Sequence, residues 1–230
     1  MNRRGSRAGF SLIELMIVVA IIAVIFSIAI VGFISIRRSS NEKAMSASLK
    51  SLTTGEESFK NNDLDLNQIN DYWTGDVAGL YSIQATGAAK SALAISDVAL
   101  ASADTAPLAA GAYDNGRAQT TGTPLAQSPK SGYWCQAQLR DVGASDLMTS
   151  TDTTGSAVHH VGSYGFCAVP VNYGVTGTFC FIVNHGNAIF KRDFGTATPL
   201  VASPVARFTF AELDQWPTGP DLSASWNKSE

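Results

Sequence analysis

The sequence predicts an α+β protein in which one long N-terminal α-helix precedes a head with an antiparallel β-sheet. Three observations predict this class: an apolar run over residues 10–36, an amphipathic stripe that continues the helix to residue 61, and strand-like segments after Gly132. The remainder, residues 62–230, is assigned to the globular head. A hydrophobic content of 45% with 15% charged residues fits a folded protein that carries a membrane segment.

The apolar run from Phe10 to Ile36 comprises 27 residues and contains one charge, Glu14. As a helix it would rise roughly 40 Å at about 1.5 Å per residue, which is enough to cross a bilayer core of roughly 30 Å. A secretory signal cleaved after Ala29 is the alternative. Against it, the run continues to Ile36, and a carboxylate within such a segment costs about 2.5–3.5 kcal/mol. Glu14 is therefore a candidate functional residue.

Basic residues flank the apolar run on both sides, three arginines before it and Arg37, Arg38 and Lys43 after it, so the flanks alone leave the orientation open. The cysteines and Ser/Thr-rich loops of the C-terminal side favour its export. The first nine residues contain no acid, so the rest of the chain carries all 19 acidic residues. We therefore expect no nucleic acid partner.

The helical pattern continues beyond the membrane segment, because Met45, Leu49, Leu52 and Phe59 fall at helical spacing on one face. A helix over residues 10–61 would be roughly 78 Å long. Its first half is apolar all round and needs lipid or neighbouring subunits. Its second half is amphipathic and needs a globular domain against which to pack.

The segment Arg7–Ile22, RAGFSLIELMIVVAII, resembles the N-terminal signature of type IV prepilins and type II secretion pseudopilins. A short basic leader ends in Gly9, and Phe10 and a glutamate at the fifth mature position follow. The resemblance implies that residues 1–9 are a leader, and that a prepilin peptidase cleaves between Gly9 and Phe10 and N-methylates Phe10. It also implies an inner-membrane precursor and an assembly machinery in that membrane. The final filament would be on the cell surface, or in the periplasm for a pseudopilin.

Cleavage after Gly9 would free an ammonium group at Phe10, and this group gives Glu14 a partner. In a helical stack, the Glu14 carboxylate of one chain can pair with the Phe10 ammonium of its neighbour and so set the register. The apolar faces then pack in a heterologous contact that propagates as a homopolymer. The family often has a proline near residue 31, where this chain has Val31-Gly32.

The head shows two kinds of sequence. Residues 62–130 are weakly patterned and are interpreted as loops and short elements, with a short helix near residues 91–103. After Gly132, strands are predicted at residues 133–137, 164–170, 178–183 and 188–192, the last two joined by a tight turn. The segment YGVTGTFCFIVNHGNAIFKRDFG and the end SASWNKSE resemble the C-terminal half of bacterial pilin-like proteins. Trp216 and Trp226 are expected to pack the tail onto the sheet.

Three cysteines, Cys135, Cys167 and Cys180, are disulfide candidates if the head is exported. Cys167 and Cys180 flank a hairpin loop almost symmetrically. A bond from Cys135 to either of them is an equal alternative.

No catalytic or cofactor motif appears in the chain, so we expect no enzyme, no cofactor and no metal. His159, His160 and His185 are interpreted as residues of solvated loops. Four acidic residues near the C-terminus are a weak calcium candidate, with a solvated face the favoured interpretation: Asp193, Glu212, Asp214 and Asp221.

The sequence thus favours a structural subunit of a type IV pilus-like filament. The alternatives are a type II secretion pseudopilin and a single-pass membrane-anchored binding protein that does not polymerise. In the last case Gly9 would stay uncut and Glu14→Ala would be harmless.

Overall fold

A computed structural model describes residues 9–65, 68–85, 94–108, 118–120, 126–142, 158–197, 207–208 and 210–229. The predicted leader, apart from Gly9, lies outside the described residues. Contacts divide the chain into two compact units, residues 1–37 and residues 38–230.

Long and short elements alternate with loops along the described chain. The helices are α1 (Leu12–Asn62), α2 (Gly79–Ser82), α3 (Val98–Ser102), α4 (Ala211–Asp214) and α5 (Gly219–Ser225), with a 3-10 turn at Gly195–Ala197. The strands are β1 (Tyr72–Trp73), β2 (Ile83–Ala85), β3 (Ala118–Thr120), β4 (Tyr133–Ala137), β5 (His159–His160), β6 (Gly165–Pro170), β7 (Cys180–Asn184), β8 (Ile189–Arg192) and β9 (Asn227–Lys228). The predicted α+β class is confirmed.

The first unit contains the apolar part of α1. A helix satisfies its backbone hydrogen bonds internally, as a segment in lipid must, and α1 is long and apolar enough to cross a membrane. The Ser27 hydroxyl donates to the Val24 carbonyl at 2.7 Å, so this polar side chain also has a partner within the segment.

In the second unit, the amphipathic part of α1 packs into the main hydrophobic core. The predicted stripe of Met45, Leu49, Leu52 and Phe59 is confirmed, since none of the four side chains is more than 1% exposed. They pack in one cluster with sheet residues such as Phe166. Each buried side chain of this size contributes about 1.5–3 kcal/mol.

The main sheet has five antiparallel strands in the order β4-β6-β7-β8-β9, which confirms the four predicted strands and adds a short fifth. Alternation along the strands gives the sheet two faces. One face, with Phe181, joins the cluster that contains the α1 stripe. The other face, with Ile182, packs against Trp216 and Trp226. The predicted packing of the tail on the sheet is confirmed.

The weakly patterned region contains short elements, as expected. One of them, β1, pairs with a strand that lies outside this region. Strand β1 pairs antiparallel with β5, with Trp73 opposite His159 and Tyr72 opposite His160. Helix α3 lies within the stretch predicted as a short helix near residues 91–103, but it begins only at Val98, because residues 94–97 are not helical. Asp97 caps it by accepting a hydrogen bond from the Leu100 amide at 2.8 Å.

Candidate functional site

The N-terminal segment that the sequence singles out begins immediately before α1. Gly9 and Phe10 are exposed and precede the helix. The Ser11 carbonyl accepts the first helical hydrogen bond, from the Leu15 amide, and the Glu14 Oε2 atom accepts from the Ser11 amide at 2.9 Å. Ser11 and Glu14 thus match the S-x-x-E pattern of a capping box. Glu14 also places its charge in the first turn, where the helix dipole favours an anion.

The described large apolar side chains of residues 10–36 are exposed in the single chain. Phe10 is 85% exposed and Phe26 63%. A continuous apolar surface of this length marks a contact with lipid or with other protein. The segment therefore has the chemistry of a membrane anchor and of an assembly surface.

The three cysteines are free and buried. Cys135 lies on the sheet face that carries the α1 stripe, and Cys167 and Cys180 lie on the opposite face. Burial raises the pKa of all three thiols well above the ordinary value, so none has the character of a reactive thiolate. The three thiols are free in this structure, so it contains none of the disulfides that the sequence offered. Cys135 is separated from the other two by the sheet, and the register of β6 on β7 places Cys167 opposite Ile182, two positions from Cys180.

Asp65, Asp71 and His159, here called the Asp–His cluster, come together beyond the C-terminal end of α1. His159 Nε2 lies 3.6 Å from Asp65 Oδ2, and His159 Nδ1 lies 3.3 Å from Asp71 Oδ1. The three residues are between 1% and 3% exposed. Each offers one potential ligand atom, and these atoms lie within 4.8 Å of one another.

Two aromatic rings hold His159 in place. Phe59 stacks on the imidazole at a centroid distance of 6.2 Å, and Trp73 meets it edge-on at 5.3 Å. The interpretation of His159 as a residue of a solvated loop is therefore wrong. Pairing of β5 with β1 brings it into the core.

Glu56 is a further buried acid beside this cluster. Its Oε2 atom accepts from the Trp73 amide at 3.1 Å, while Oε1 has no hydrogen-bond partner among the residues that the structure describes. Burial raises the pKa of Glu56 well above its ordinary value, and the charges of Glu57 and Asp71 add to the rise. Through Trp73, which packs on His159, Glu56 is linked to the Asp–His cluster.

A second pair of buried acids, Asp76 and Asp104, accepts hydrogen bonds from backbone amides. Asp104 Oδ2 accepts from the Val77 and Ala78 amides at 2.7 and 2.9 Å. Asp76 Oδ1 accepts from Gly79 at 2.7 Å, and its Oδ2 accepts from Leu108 at 2.8 Å. These carboxylates satisfy loop amides that would otherwise be buried without partners.

A family described as "Protein of unknown function (DUF2950)" matches residues 40–216. The chain belongs to the DUF2950 family. The prokaryotic N-terminal methylation motif matches residues 4–30 of the same chain, which confirms the prepilin-type signature seen around Gly9 and Phe10. No curated protein matches the chain, and no solved structure does.

The motif and the family match cover different parts of the chain, residues 4–30 and residues 40–216. The motif supports a membrane-anchored precursor of the pilin or pseudopilin type, a structural subunit that a prepilin peptidase processes and that assembles into a filament. The DUF2950 match covers most of the head, including the weakly patterned region.

In this DUF2950 chain, the four acidic residues of the weak calcium candidate have separate partners. Asp193 accepts from Gly195 at 2.7 Å, Glu212 lies 3.6 Å from Arg192 and Asp214 lies 2.7 Å from Arg207. Asp221 meets the Thr218 hydroxyl at the start of α5. Within the described residues, the group of potential metal ligands is the Asp–His cluster instead.

Two features of the DUF2950 head escaped the sequence analysis. Glu56 lies four residues after Leu52 and three before Phe59, so it occupies a core position of the α1 stripe, and that spacing was a usable signal. The approach of Asp65 and Asp71 to His159 had no local signal, because it depends on a strand pair that joins positions more than eighty residues apart.

Proposed function

We propose that the mature chain is the repeating structural subunit of a type IV pilus-like filament on the cell surface. It is made as an inner-membrane precursor, cleaved after Gly9 and N-methylated at Phe10. Residues 10–36 then hold the subunits together in a helical homopolymer, which the inner-membrane assembly machinery builds.

The observation that carries this proposal is the exposed apolar segment of α1, most of which lies within the prepilin-type motif matched at residues 4–30. In the precursor, lipid covers that segment. After cleavage, the same segment of neighbouring subunits can cover it, and one contact repeated head to tail produces an open helical filament.

The proposal gives Glu14 a second partner beside the Ser11 amide. A lone carboxylate in an apolar assembly is costly. The Phe10 ammonium of a neighbouring subunit compensates it without displacing the capping bond, because Glu14 has two carboxylate oxygens and the Ser11 bond uses Oε2. The charge pair then selects the axial register of one subunit on the next.

The test is intact mass and N-terminal sequencing of the chain from two fractions, sheared cell-surface material and membranes. A chain that begins at N-methylated Phe10 and is recovered in sheared fibres is the expected result. A chain with the same N-terminus that stays within the periplasm would replace the surface filament by a pseudopilus. A chain that begins at Met1 and is confined to membranes would overturn both and leave a membrane-anchored protein.

A further inference from the structure

The Asp–His cluster combines the ligand types that divalent transition metals prefer. We propose that Asp65, Asp71 and His159 bind one divalent transition-metal ion, with zinc as the representative case. An imidazole nitrogen with carboxylate oxygens suits zinc and its first-row neighbours. Magnesium and calcium instead take oxygen ligands throughout.

The distances within the cluster fit an ion of this class. Zinc bonds of about 2.0–2.2 Å in a tetrahedral arrangement place neighbouring ligand atoms about 3.4 Å apart. Asp65 lies 3.6 Å from Nε2 of His159 and Asp71 lies 3.3 Å from Nδ1, so one of these two contacts can serve as a ligand separation around a single ion. With one ligand atom taken from each residue, the largest separation stays within 4.8 Å. The largest separation exceeds the tetrahedral value by up to about 1.4 Å, and binding of one ion requires the side chains to close this difference.

The charge of the cluster also favours a cation. Two aspartates and the neighbouring Glu56 are all at most 1% exposed, and buried carboxylates require a compensating charge. Lys60, in the same stretch of α1, directs its ammonium to the Val161 carbonyl and the ring of Tyr72. A divalent ion would compensate two carboxylates at once.

Glu56 supplies an independent observation. Its wholly buried Oε1 atom has no hydrogen-bond partner in the described part of the chain. Its Oε2 atom accepts from the amide of Trp73, whose ring packs on His159 at a centroid distance of 5.3 Å. Three protein ligands leave a fourth zinc position open. The proposal assigns Glu56 Oε1 as the acceptor of a hydrogen bond from an ion-bound water at that position.

The competing account is an ion-pair network alone, in which a protonated His159 lies between two carboxylates, one at each ring nitrogen. Both accounts join the segment after α1 to the β1–β5 pair. They differ in whether the cluster holds a metal, and this can be measured without any variant.

The experiment uses the full chain purified in detergent, treated with a chelator and then dialysed against zinc in the presence of excess magnesium and calcium. Elemental analysis is expected to find one zinc per chain, and zinc is expected to raise the thermal unfolding midpoint. Asp71→Asn, which preserves side-chain size, should abolish both effects. His185→Gln is the matched control, because His185 is exposed and distant in the chain from the cluster.

Substoichiometric zinc on the unaltered chain would overturn the proposal and leave the ion-pair network. Full retention of zinc by Asp71→Asn would overturn it as well. If Asp71→Asn does not fold, cobalt bound to the unaltered chain decides the matter. Ligand-field bands without thiolate charge transfer support the Asp–His cluster, whereas thiolate bands would assign the ion to a cysteine.

Discussion

Glu14 has two physical roles that one substitution can separate. Its Oε2 atom caps α1 through the Ser11 amide, and its charge is the group proposed to meet the Phe10 ammonium of a neighbour. Glutamine also serves at this position of a capping box, but it carries no charge. Glu14→Gln therefore retains the cap and removes the proposed intersubunit ion pair.

We expect Glu14→Gln and Glu14→Ala to insert and to be cleaved after Gly9, but to yield few or no filaments. Electron microscopy and immunoblotting of the sheared fraction measure this. Glu212→Gln, an equal change of charge at a half-exposed position of the head, should leave filaments unchanged. Normal filaments from Glu14→Gln, with failure of Glu14→Ala, would assign Glu14 to the cap alone.

Asp76 and Asp104 make stability depend on pH. Burial, and after it the charge of Asp104, raises the pKa of Asp76 to about 7. Burial also raises the pKa of Asp104, while the charge of Arg207 acts to lower it. In the unfolded chain an aspartate titrates near 3.9. Between these values the folded state holds more protons, so the stability that the pair provides is lost as pH rises.

The thermal unfolding midpoint should accordingly fall as pH is raised from about 4 to about 7, when it is measured in the presence of a chelator. The free-energy change is on the order of a few kcal/mol, because one unit of pKa shift corresponds to about 1.4 kcal/mol. Asp76→Asn should be less stable at low pH and should flatten the dependence in this window. An equally steep fall in Asp76→Asn would assign the dependence to other groups.

At the scale of elements, helix α1 is held in the head by its apolar stripe. Leu52 is 1% exposed in the core cluster, so Leu52→Ala should lower the free energy of unfolding by about 2–5 kcal/mol. Ser51→Ala, at the neighbouring exposed position, should change it by no more than about 0.5 kcal/mol. Urea denaturation followed by tryptophan fluorescence measures both. Equal effects would show that the stripe does not anchor the helix.

The sheet is packed too closely beside β7 to accept a side chain at Gly177. A Cβ atom there would lie 2.0 Å from the hydroxyl of Tyr133, a buried residue whose hydroxyl donates to the Phe179 carbonyl at 3.0 Å. Gly177→Ala should cost about 1–3 kcal/mol in unfolding free energy.

Gly219 provides the matched control for that substitution. Apart from its chain neighbours and the backbone of its own helix, no heavy atom lies within 4 Å of a Cβ atom placed there, and the residue begins α5. Gly219→Ala should leave stability unchanged or raise it by up to about 1 kcal/mol. A loss for Gly219→Ala as large as that for Gly177→Ala would contradict the packing argument.

Local periodicity accounts for what the sequence predicts correctly. The α1 stripe and strands β4, β6, β7 and β8 each appear as a repeat of apolar positions within a few residues. Long-range pairing accounts for what it misses. The burial of His159 follows from the register of β5 on β1, and the separation of Cys135 from the other cysteines follows from the sheet face each occupies. No local pattern contains these facts.

At the scale of the whole molecule, the chain joins an assembly segment to a head with its own core. Both hydrophobic clusters are formed by residues between Met45 and Trp226, and the second compact unit begins at Arg38. The described large apolar side chains of residues 10–36 lie outside these clusters. The stability of the head should therefore not require the membrane segment.

A chain that begins at Arg38 should accordingly be soluble without detergent, monomeric and cooperatively folded, with the four tryptophans of the sequence still buried. Size-exclusion chromatography with light scattering, circular dichroism and thermal unfolding measure these properties.

A chain that begins at Thr53 is the matched control. It lacks Met45, Leu49 and Leu52, and the loss of three buried side chains at about 2–5 kcal/mol each is as large as the whole stability of an ordinary domain. It should therefore aggregate or remain unfolded. Aggregation of the Arg38 chain would instead mean that residues 10–37 contribute to the fold of the head, and would remove the separation between assembly segment and head on which the filament proposal depends.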